Sequence, residues 1–255
     1  MTTDPSVGGL LRHWRQRRRF SQLALALEAG ISQRHLSFVE SGRAHPSRDM
    51  VLRLGEQLEM PLGARNALLV AAGFAPRYPQ LRLDAPEMAA ARAVIERILR
   101  AHMPNPALAV NRLWELQMAN DAVYGLLDGV APPLLEPPVN VLRVSLHPDG
   151  LARRIANLGE WRAHVLARLD REAEGHGDPR LAALRDELAA LPVPPGTRPH
   201  RPDPRAAGRI AVPLRLRTTS GTLSYLSTTT VFGTATEVTL ADLTVECFYP
   251  SEEGV

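Results

Sequence analysis

The sequence predicts two domains: an all-α N-terminal domain of five helices, and an α+β C-terminal domain with an antiparallel sheet of about five strands. Two observations predict this division. Between residues 8 and 72, apolar residues recur at helical spacing, and each stretch is bounded by a capping or breaking residue. Near the end of the chain, apolar residues alternate with polar ones, as in strands. The predicted boundaries are 1–73 for the first domain, 74–86 for a linker, 87–250 for the second domain and 251–255 for a tail.

Composition and charge narrow the class of protein. Of the 255 residues, 45% are hydrophobic and 22% are charged, which is typical of folded globular chains. Residues 1–80 contain 11 arginines against 6 acidic residues, a net charge of +5, whereas residues 81–255 contain 19 against 21, a net charge of −2. A small basic domain joined to a nearly neutral one fits a polyanion-binding module with a partner domain.

The sequence also indicates the cellular compartment and limits the roles that cysteine can have. No run approaches the roughly 20 apolar residues that a membrane helix needs, and the N-terminus lacks the pattern of a secretory signal. We therefore expect a cytoplasmic protein that does not bind membranes. The single cysteine, Cys247, excludes an internal disulfide and a cysteine-based zinc site.

The five helices of the first domain are marked by their ends. Ser21 and Ser32 are good N-caps for the second and third helices. Gly30 is a stop after the second helix, and Gly42 follows the third. Prolines open the last two helices, with Pro61 at the start of the fifth.

The second domain mixes both periodicities. The linker holds three prolines in the stretch 73–86, and apolar residues then recur at helical spacing before the pattern changes to alternation. The expected elements are a long helix over 87–102, a hairpin over 107–118, a helix capped by Asn120, helices over 139–147 and 151–175, a helix around 181–191, an exposed loop over 192–208, and strands over 210–217, 222–232 and 243–249.

Residues 20–47, FSQLALALEAGISQRHLSFVESGRAHPS, carry the most specific signal. Two short capped helices are separated by three residues, which is the spacing of a helix-turn-helix. Gly30 gives the turn a permissive backbone, and Ile31 is expected to fill the corner between the helices. Leu36 and Val39 are expected to face inward, so the opposite face of the second of these helices is left for a ligand.

That outward face carries side chains of the types that read base edges in DNA. Gln33 and Arg34 suit adenine and guanine edges respectively, because both form bidentate hydrogen bonds in the major groove. Ser37 and Phe38 lie on the same side. Gln22, at a helix N-terminus, and Arg43, in the following loop, suit phosphate oxygens.

Residues 8–73 resemble the phage-repressor/Cro-like (XRE) helix-turn-helix family. The resemblance implies that Gln22, Gln33, Arg34 and Ser37 lie at the DNA. It also implies an ion pair between Arg15 and Glu40, which would make the role of Glu40 structural. For Phe38 two interpretations stay open: contact with a thymine methyl group, or a dimer or core contact.

The second domain is similar to the MmyB-like transcription regulators. The resemblance is carried by LAVNRLWELQMAND (108–121), PPVNVLRVSLHPDGL (137–151), NLGEWRAHVLARL (157–169), the strand-rich stretch 212–250 and the linker AGFAPRYPQ. It implies a PAS-like ligand-binding domain associated with fatty-acid-type ligands. The combined prediction is a homodimeric regulator that binds double-stranded operator DNA and an apolar or acyl small molecule.

Candidate ligand-binding residues come from the helices and strands of this domain. Trp114, Leu116 and Trp161 are each compatible with core or pocket wall. Arg143 and Asn140 are candidates for a ligand carboxylate, although Arg143 could instead reach solvent and Asn120 could be only a helix cap. The full candidate set is Trp114, Leu116, Asn120, Leu126, Asn140, Arg143, Leu146 and Trp161.

Two other classes of function stay open. One is a constitutive DNA-binding protein whose second domain only pairs protomers. The other is an enzyme with an unrecognised site, but the chain has no His-Glu-x-x-His helix, no clustered histidines and no G-x-S-x-G elbow. We therefore expect no catalytic residues, no metal site and no cofactor beyond a possible bound fatty acid.

Overall fold

The computed structural model describes residues 6–198, 211–219 and 221–251. The chain divides into two compact units, one of Met1–Leu81 with Thr234–Ala241 and one of Arg82–Gly233 with Asp242–Val255. Within the described ranges, no helix is long and apolar enough to cross a membrane. Most of the predicted loop 192–208, Ile210 of a predicted strand, and the tail beyond residue 251 lie outside the described residues.

Eleven α-helices, two 3₁₀ helices and five strands are found in the described part of the chain. The helices are α1 (Val7–Arg17), α2 (Gln22–Glu28), α3 (Gln33–Glu40), α4 (Arg48–Gln57), α5 (Leu62–Ala71), α6 (Ala89–Ala101), α7 (Asp121–Tyr124), α8 (Val141–Leu146), α9 (Leu158–His176), α10 (Pro179–Ala190) and α11 (Val238–Ala241), with 3₁₀ turns at Pro86–Met88 and Pro132–Leu135. The strands are β1 (Ala107–Val110), β2 (Leu116–Ala119), β3 (Leu214–Thr218), β4 (Gly221–Val231) and β5 (Thr244–Pro250).

The first unit contains the five predicted helices, and serine caps explain where four of them begin. Ser6, Ser21, Ser32 and Ser47 each accept a hydrogen bond from the backbone N–H three residues later. Fully buried leucines from all five helices form one core. The all-α fold of this unit is confirmed.

The turn between α2 and α3 has the expected chemistry. Gly30 has φ +63°, a conformation that glycine adopts without strain. Ile31 is partly buried and packs against the core of the first unit. At Gly8 of α1, a Cβ would meet the backbone oxygen of Val39 at 2.5 Å, so only glycine allows α1 and α3 to approach this closely.

Residues 234–241 belong to the first unit, although they lie between β4 and β5 in the chain. The predicted second domain was continuous over 87–250 and did not anticipate this excursion. Glu237 is 9% exposed and accepts hydrogen bonds from the backbone N–H groups of Leu81, Thr239 and Leu240. These bonds tie α11 to the linker, and Val238 packs near Gly63 of α5.

The second unit is built on a five-stranded antiparallel sheet in the order β2-β1-β5-β4-β3, which confirms the α+β prediction. Alternation along β1 separates two layers of core. Ala107 and Ala109 pack with Ile95 and Leu99 of α6 on one face. Leu108 and Val110 face the larger core, which α7 to α10 help to form.

Three helix predictions differ from the structure in length. The helix predicted over 151–175 begins only at Leu158, because residues 154–156 pair through their backbone with edge strand β3. The helix after Asn120 ends at Tyr124, and the one predicted over 139–147 spans Val141–Leu146. Helix α11 was not predicted.

Candidate DNA-binding surface and ligand cavity

Helix α3 presents the residues expected to read DNA. Leu36 and Val39 are fully buried against the first core, and this burial orients the helix. Gln33 and Arg34, in its first turn, are exposed. Ser37 is partly buried one turn later, so all three expected DNA contacts on α3 are accessible at least in part.

Phe38 lies between two cations. The guanidinium carbons of Arg34 and Arg43 lie 5.3 Å and 5.7 Å from the centroid of its ring. Such contacts orient arginines while leaving their N–H groups free for other partners. Phe38 is partly exposed, and both of its interpretations stay open.

Glu40 anchors the helix-turn-helix from inside. Its side chain is fully buried and accepts hydrogen bonds from Arg15 Nε at 2.6 Å, Arg15 Nη2 at 2.9 Å and Gln22 Nε2 at 2.8 Å. The Arg15–Glu40 ion pair that the resemblance implied is therefore present. Gln22 also donates to Glu40, so the Gln22 amide is held at the start of α2, where a DNA phosphate is expected.

These bonds also decide the charge of Glu40. Burial alone would raise the pKa of the carboxyl group, but the hydrogen bonds from Arg15 and Gln22 outweigh burial and lower the pKa below its ordinary value of 4.5. Glu40 is consequently ionised at neutral pH, and it joins α1, α2 and α3 through one buried charge.

The second unit contains a partly open apolar cavity of about 110 Å³ between the sheet and helices α7 to α9. That volume is several times what one water molecule occupies. The lining residues are Pro106, Leu108, Trp114, Leu116, Val123, Leu126, Leu127, Val139, Val141, Leu142, Val144, Ser145, Leu151, Trp161, His164, Val165, Arg168, Leu214, Ser227, Glu246 and Phe248.

Four of the eight predicted ligand-binding residues line this cavity: Trp114, Leu116, Leu126 and Trp161. Trp114 has φ +63°, a left-handed conformation that costs an aromatic residue energy. Two backbone hydrogen bonds hold this conformation: Trp114 N–H donates to the carbonyl of Asn111 in the hairpin, and the Trp114 carbonyl accepts from the N–H of Val141 at the start of α8.

The other four predicted ligand residues do not line the cavity, for local reasons. Arg143 forms a two-pronged ion pair with Glu187 at 2.6 and 2.7 Å, and both side chains are 44% exposed. Asn140 caps α8 by accepting from the N–H groups of Leu142 and Arg143. Neither side chain is therefore placed to bind a ligand carboxylate inside the cavity.

Asn120 and Leu146 also have structural roles. Asn120 donates to the carbonyls of Leu99 and Asn105 and accepts from the N–H of Ala107. It joins α6 to β1 and makes no side-chain cap for α7. Leu146 is buried in the larger core.

Polar groups collect at one side of the cavity wall, and sequence reasoning missed most of them. Trp161 Nε1 donates to Ser145 Oγ at 2.9 Å, and the Trp161 ring stacks on His164. Burial, and then the nearby arginines Arg168 and Arg171, lower the pKa of His164. At neutral pH, His164 is therefore uncharged.

Arg168 occupies the centre of this polar group. Its Nε donates to Glu172 at 2.9 Å and its Nη2 donates to Glu246 at 2.7 Å. Its guanidinium carbon lies 4.4 Å from the centre of the Trp114 ring, and Trp114 Nε1 donates to Glu172 in turn. One arginine is thus shared by two carboxylates and an indole.

Helical spacing contained a signal for two of the missed residues. His164 and Arg168 follow Trp161 by three and seven positions, so they lie on the same face of α9. The sequence prediction missed Glu246 because it treated β5 as a strand with one buried face. Val245 and Cys247 would lie on that face, and Glu246, between them, would lie on the exposed one. In the structure Val245, Glu246 and Cys247 are all buried, since helices cover both faces of the sheet.

An open cleft of about 540 Å³ adjoins the cavity and shares His164, Arg168 and Ser227 with it. Arg171, Glu172 and His176 of α9 also line the cleft. The polar wall of the cavity is therefore also the floor of an accessible groove. Among the described residues, no group of three or more histidine, cysteine or acidic side chains could hold a metal ion.

A helix-turn-helix unit with an accessible α3, followed by an α+β unit that contains an apolar cavity, defines a DNA-binding transcription regulator with a ligand-binding domain. Residues 6–68 match the helix-turn-helix domain family, and residues 91–254 match the MmyB-like transcription regulator ligand binding domain. The second match covers more than half of the chain, so the chain belongs to the MmyB-like transcription regulator family. No curated protein matches it.

Proposed function

We propose that this regulator binds double-stranded operator DNA as a homodimer and changes its operator affinity when a fatty-acid-like molecule, a long aliphatic chain with a polar head group, enters the cavity. The observation that carries the proposal is the mostly apolar cavity in a chain that also has a helix-turn-helix with an accessible α3. The chain would act by binding, not by catalysis, and we propose the cytoplasm as its compartment.

The DNA half of the proposal rests on α3. Gln33 and Arg34 are exposed in the first turn of α3, where they would read base edges. The hydrogen bond to Glu40 keeps Gln22 at the start of α2, where its amide would meet a phosphate. A single domain of this size contacts few base pairs, so two-fold pairing is expected. The operator would then be an inverted repeat with half-sites about one helical turn, roughly 34 Å, apart.

Selection of binding sites from random DNA tests the DNA half. Arg34→Ala is expected to cost about 1–3 kcal/mol at the preferred site and to relax one base position. Arg92→Ala, which removes an exposed arginine from α6, is the matched control and should leave the selected motif unchanged. An unchanged motif for both Gln33→Ala and Arg34→Ala would refute the role of α3.

The ligand half rests on the apolar wall. Each methylene moved from water into such a cavity contributes about 0.8 kcal/mol, so a long chain can bind tightly with few polar contacts. A cavity of about 110 Å³ must widen as a long chain enters, and we expect partly buried lining residues such as Leu116 and Leu126 to shift first.

Thermal unfolding of delipidated protein with saturated aliphatic ligands of increasing length tests this half. Ligands should raise the melting temperature of the wild type. Leu126→Trp fills the cavity from a partly buried position and should abolish the shift, whereas Leu223→Trp, at a residue 40% exposed and outside the cavity, should keep it. No stabilisation of the wild type at any length would favour a domain that only pairs protomers.

A further inference from the structure

Phe38 of α3 is not part of the apolar core of the first unit. Within the described residues, it is not among the hydrophobic side chains that pack against that core, although Leu36 and Val39 on the same helix are fully buried in it. Its ring is partly exposed, and the guanidinium groups of Arg34 and Arg43 lie beside it. The ring therefore has cationic neighbours outside the core.

The helical backbone of α3 places Arg34 beside this ring. Residues four apart lie on the same side of a helix, so Arg34 and Phe38 are neighbours. The guanidinium carbon of Arg34 lies 5.3 Å from the ring centroid, inside the limit of about 6 Å for cation–π attraction. Arg34 is exposed, and no carboxylate pairs with it in the part of the chain that the structure describes. Contact with the ring therefore restricts where this guanidinium lies.

The C-terminus of α3 places Arg43 beside the same ring. Gly42 has φ +74°, and its N–H donates to the carbonyl of Val39 at 3.1 Å, while the N–H of Arg43 donates to the carbonyl of Phe38 at 2.8 Å. This pair of bonds is the Schellman motif, in which the residue after the glycine packs against the third residue from the helix end. Those two residues are Arg43 and Phe38, and the guanidinium carbon lies 5.7 Å from the ring centroid. One ring thus contacts an arginine from the first turn of α3 and another from the loop that follows.

We infer that Phe38 is a positioning residue: its ring orients Arg34 toward a base edge and Arg43 toward a phosphate, and the ring itself reads no base. This inference rests on the proposed function, in which both arginines contact the DNA. An arginine side chain loses rotamer entropy when it is fixed at a base, and a contact that already restricts it reduces that loss. A cation–π contact uses none of the guanidinium hydrogen-bond donors, so they remain available to the DNA.

Dissociation constants of the full chain for its selected operator, and for operators changed at one base pair at a time, test the inference. Arg34→Ala identifies the base pair that Arg34 reads as the position where discrimination between bases is lost. Phe38→Leu, which keeps an apolar side chain without a ring, should reduce discrimination at that same position by about two- to fivefold, the range of an exposed cation–π contact. Phe38→Tyr keeps the ring and is the matched control, so it should retain wild-type discrimination. In the Arg34→Ala background, Phe38→Leu should change discrimination no further.

The two earlier interpretations of Phe38 give different results, and either result would overturn the inference while leaving the proposed function standing. If Phe38 contacts a thymine methyl group, Phe38→Leu weakens discrimination at a different base pair, and the loss persists in the Arg34→Ala background. If it makes a dimer or core contact, Phe38→Leu weakens binding to all sequences alike, or fails to fold, and Phe38→Tyr does not lose discrimination. Equal losses of discrimination in Phe38→Leu and Phe38→Tyr would also overturn the inference. If neither Gln33→Ala nor Arg34→Ala changes the selected motif, the proposed role of α3 fails, and the inference fails with it.

Discussion

Replacing Arg15 by alanine should destabilise the first unit far more than replacing Arg12, although both arginines contact the same carboxylate. Arg15 donates two hydrogen bonds to Glu40, at 2.6 and 2.9 Å, and a third to the carbonyl of Phe20. Arg12 Nε lies 3.6 Å from Glu40, and its side chain is 50% exposed. Removing Arg15 leaves a fully buried carboxylate with Gln22 as its remaining close partner.

The magnitude follows from burial. Breaking a buried ion pair by deleting one partner costs about 3–5 kcal/mol, and the 11% exposure of Arg15 places this case near the lower end. A half-exposed arginine such as Arg12 contributes about 1 kcal/mol or less. Hydrogen exchange in rising urea, followed in peptides from residues 6–72 of the full chain, measures the free energy of unfolding of this unit.

The destabilisation caused by Arg15→Ala should also depend on pH. Glu40 has a lowered pKa in the folded state, so its contribution is fully present above the ordinary value of 4.5 and is lost as the pH falls through the lowered folded value. In Arg15→Ala, burial without its main partner raises the pKa of Glu40. The difference in the free energy of unfolding between Arg15→Ala and wild type should therefore become smaller at acidic pH. Equal losses for Arg12→Ala and Arg15→Ala, or a difference independent of pH, would refute this reasoning.

Three further predictions concern single buried polar groups. Asn120→Ala should lower the free energy of unfolding of the second unit by about 2–3 kcal/mol, because three backbone groups lose their partner; urea denaturation measures it. Ser145→Ala should cost about 1–2 kcal/mol by leaving Trp161 Nε1 buried without an acceptor, and near-ultraviolet circular dichroism reports the altered indole. Glu237→Ala should speed hydrogen exchange at Leu81, Thr239 and Leu240, whereas protection as in wild type would mean that Glu237 does not anchor this segment.

The first unit was predictable because its determinants are local. A serine cap, a glycine turn and leucines one turn apart all lie within a few residues, and they place α2, α3 and the exposed Gln33 and Arg34 before any tertiary contact is known. The capping hydrogen bonds in the structure are the ones that these residue types form in isolation.

The cavity was only partly predictable because its determinants are distant in the chain. Arg143 looked like a candidate for a ligand carboxylate, but its partner Glu187 lies 44 residues away on α10. Arg168 and Glu246 are 78 residues apart and become a pair only when α9 packs on the sheet. The excursion 234–241 was missed for the same reason, since its anchor Glu237 binds backbone 156 residues earlier.

Ligand-dependent DNA binding is the central claim, and operator affinity measures it directly. The assay is the dissociation constant of the delipidated chain for its selected operator, with and without a saturating amount of the aliphatic ligand that raises the melting temperature most, for wild type, Leu126→Trp and Leu223→Trp. We expect a change of about fivefold or more in wild type and Leu223→Trp, since coupling free energies of this kind are typically 1–3 kcal/mol, and no change in Leu126→Trp. An operator affinity that stays constant while the aliphatic ligand binds and stabilises the wild type would contradict the claim.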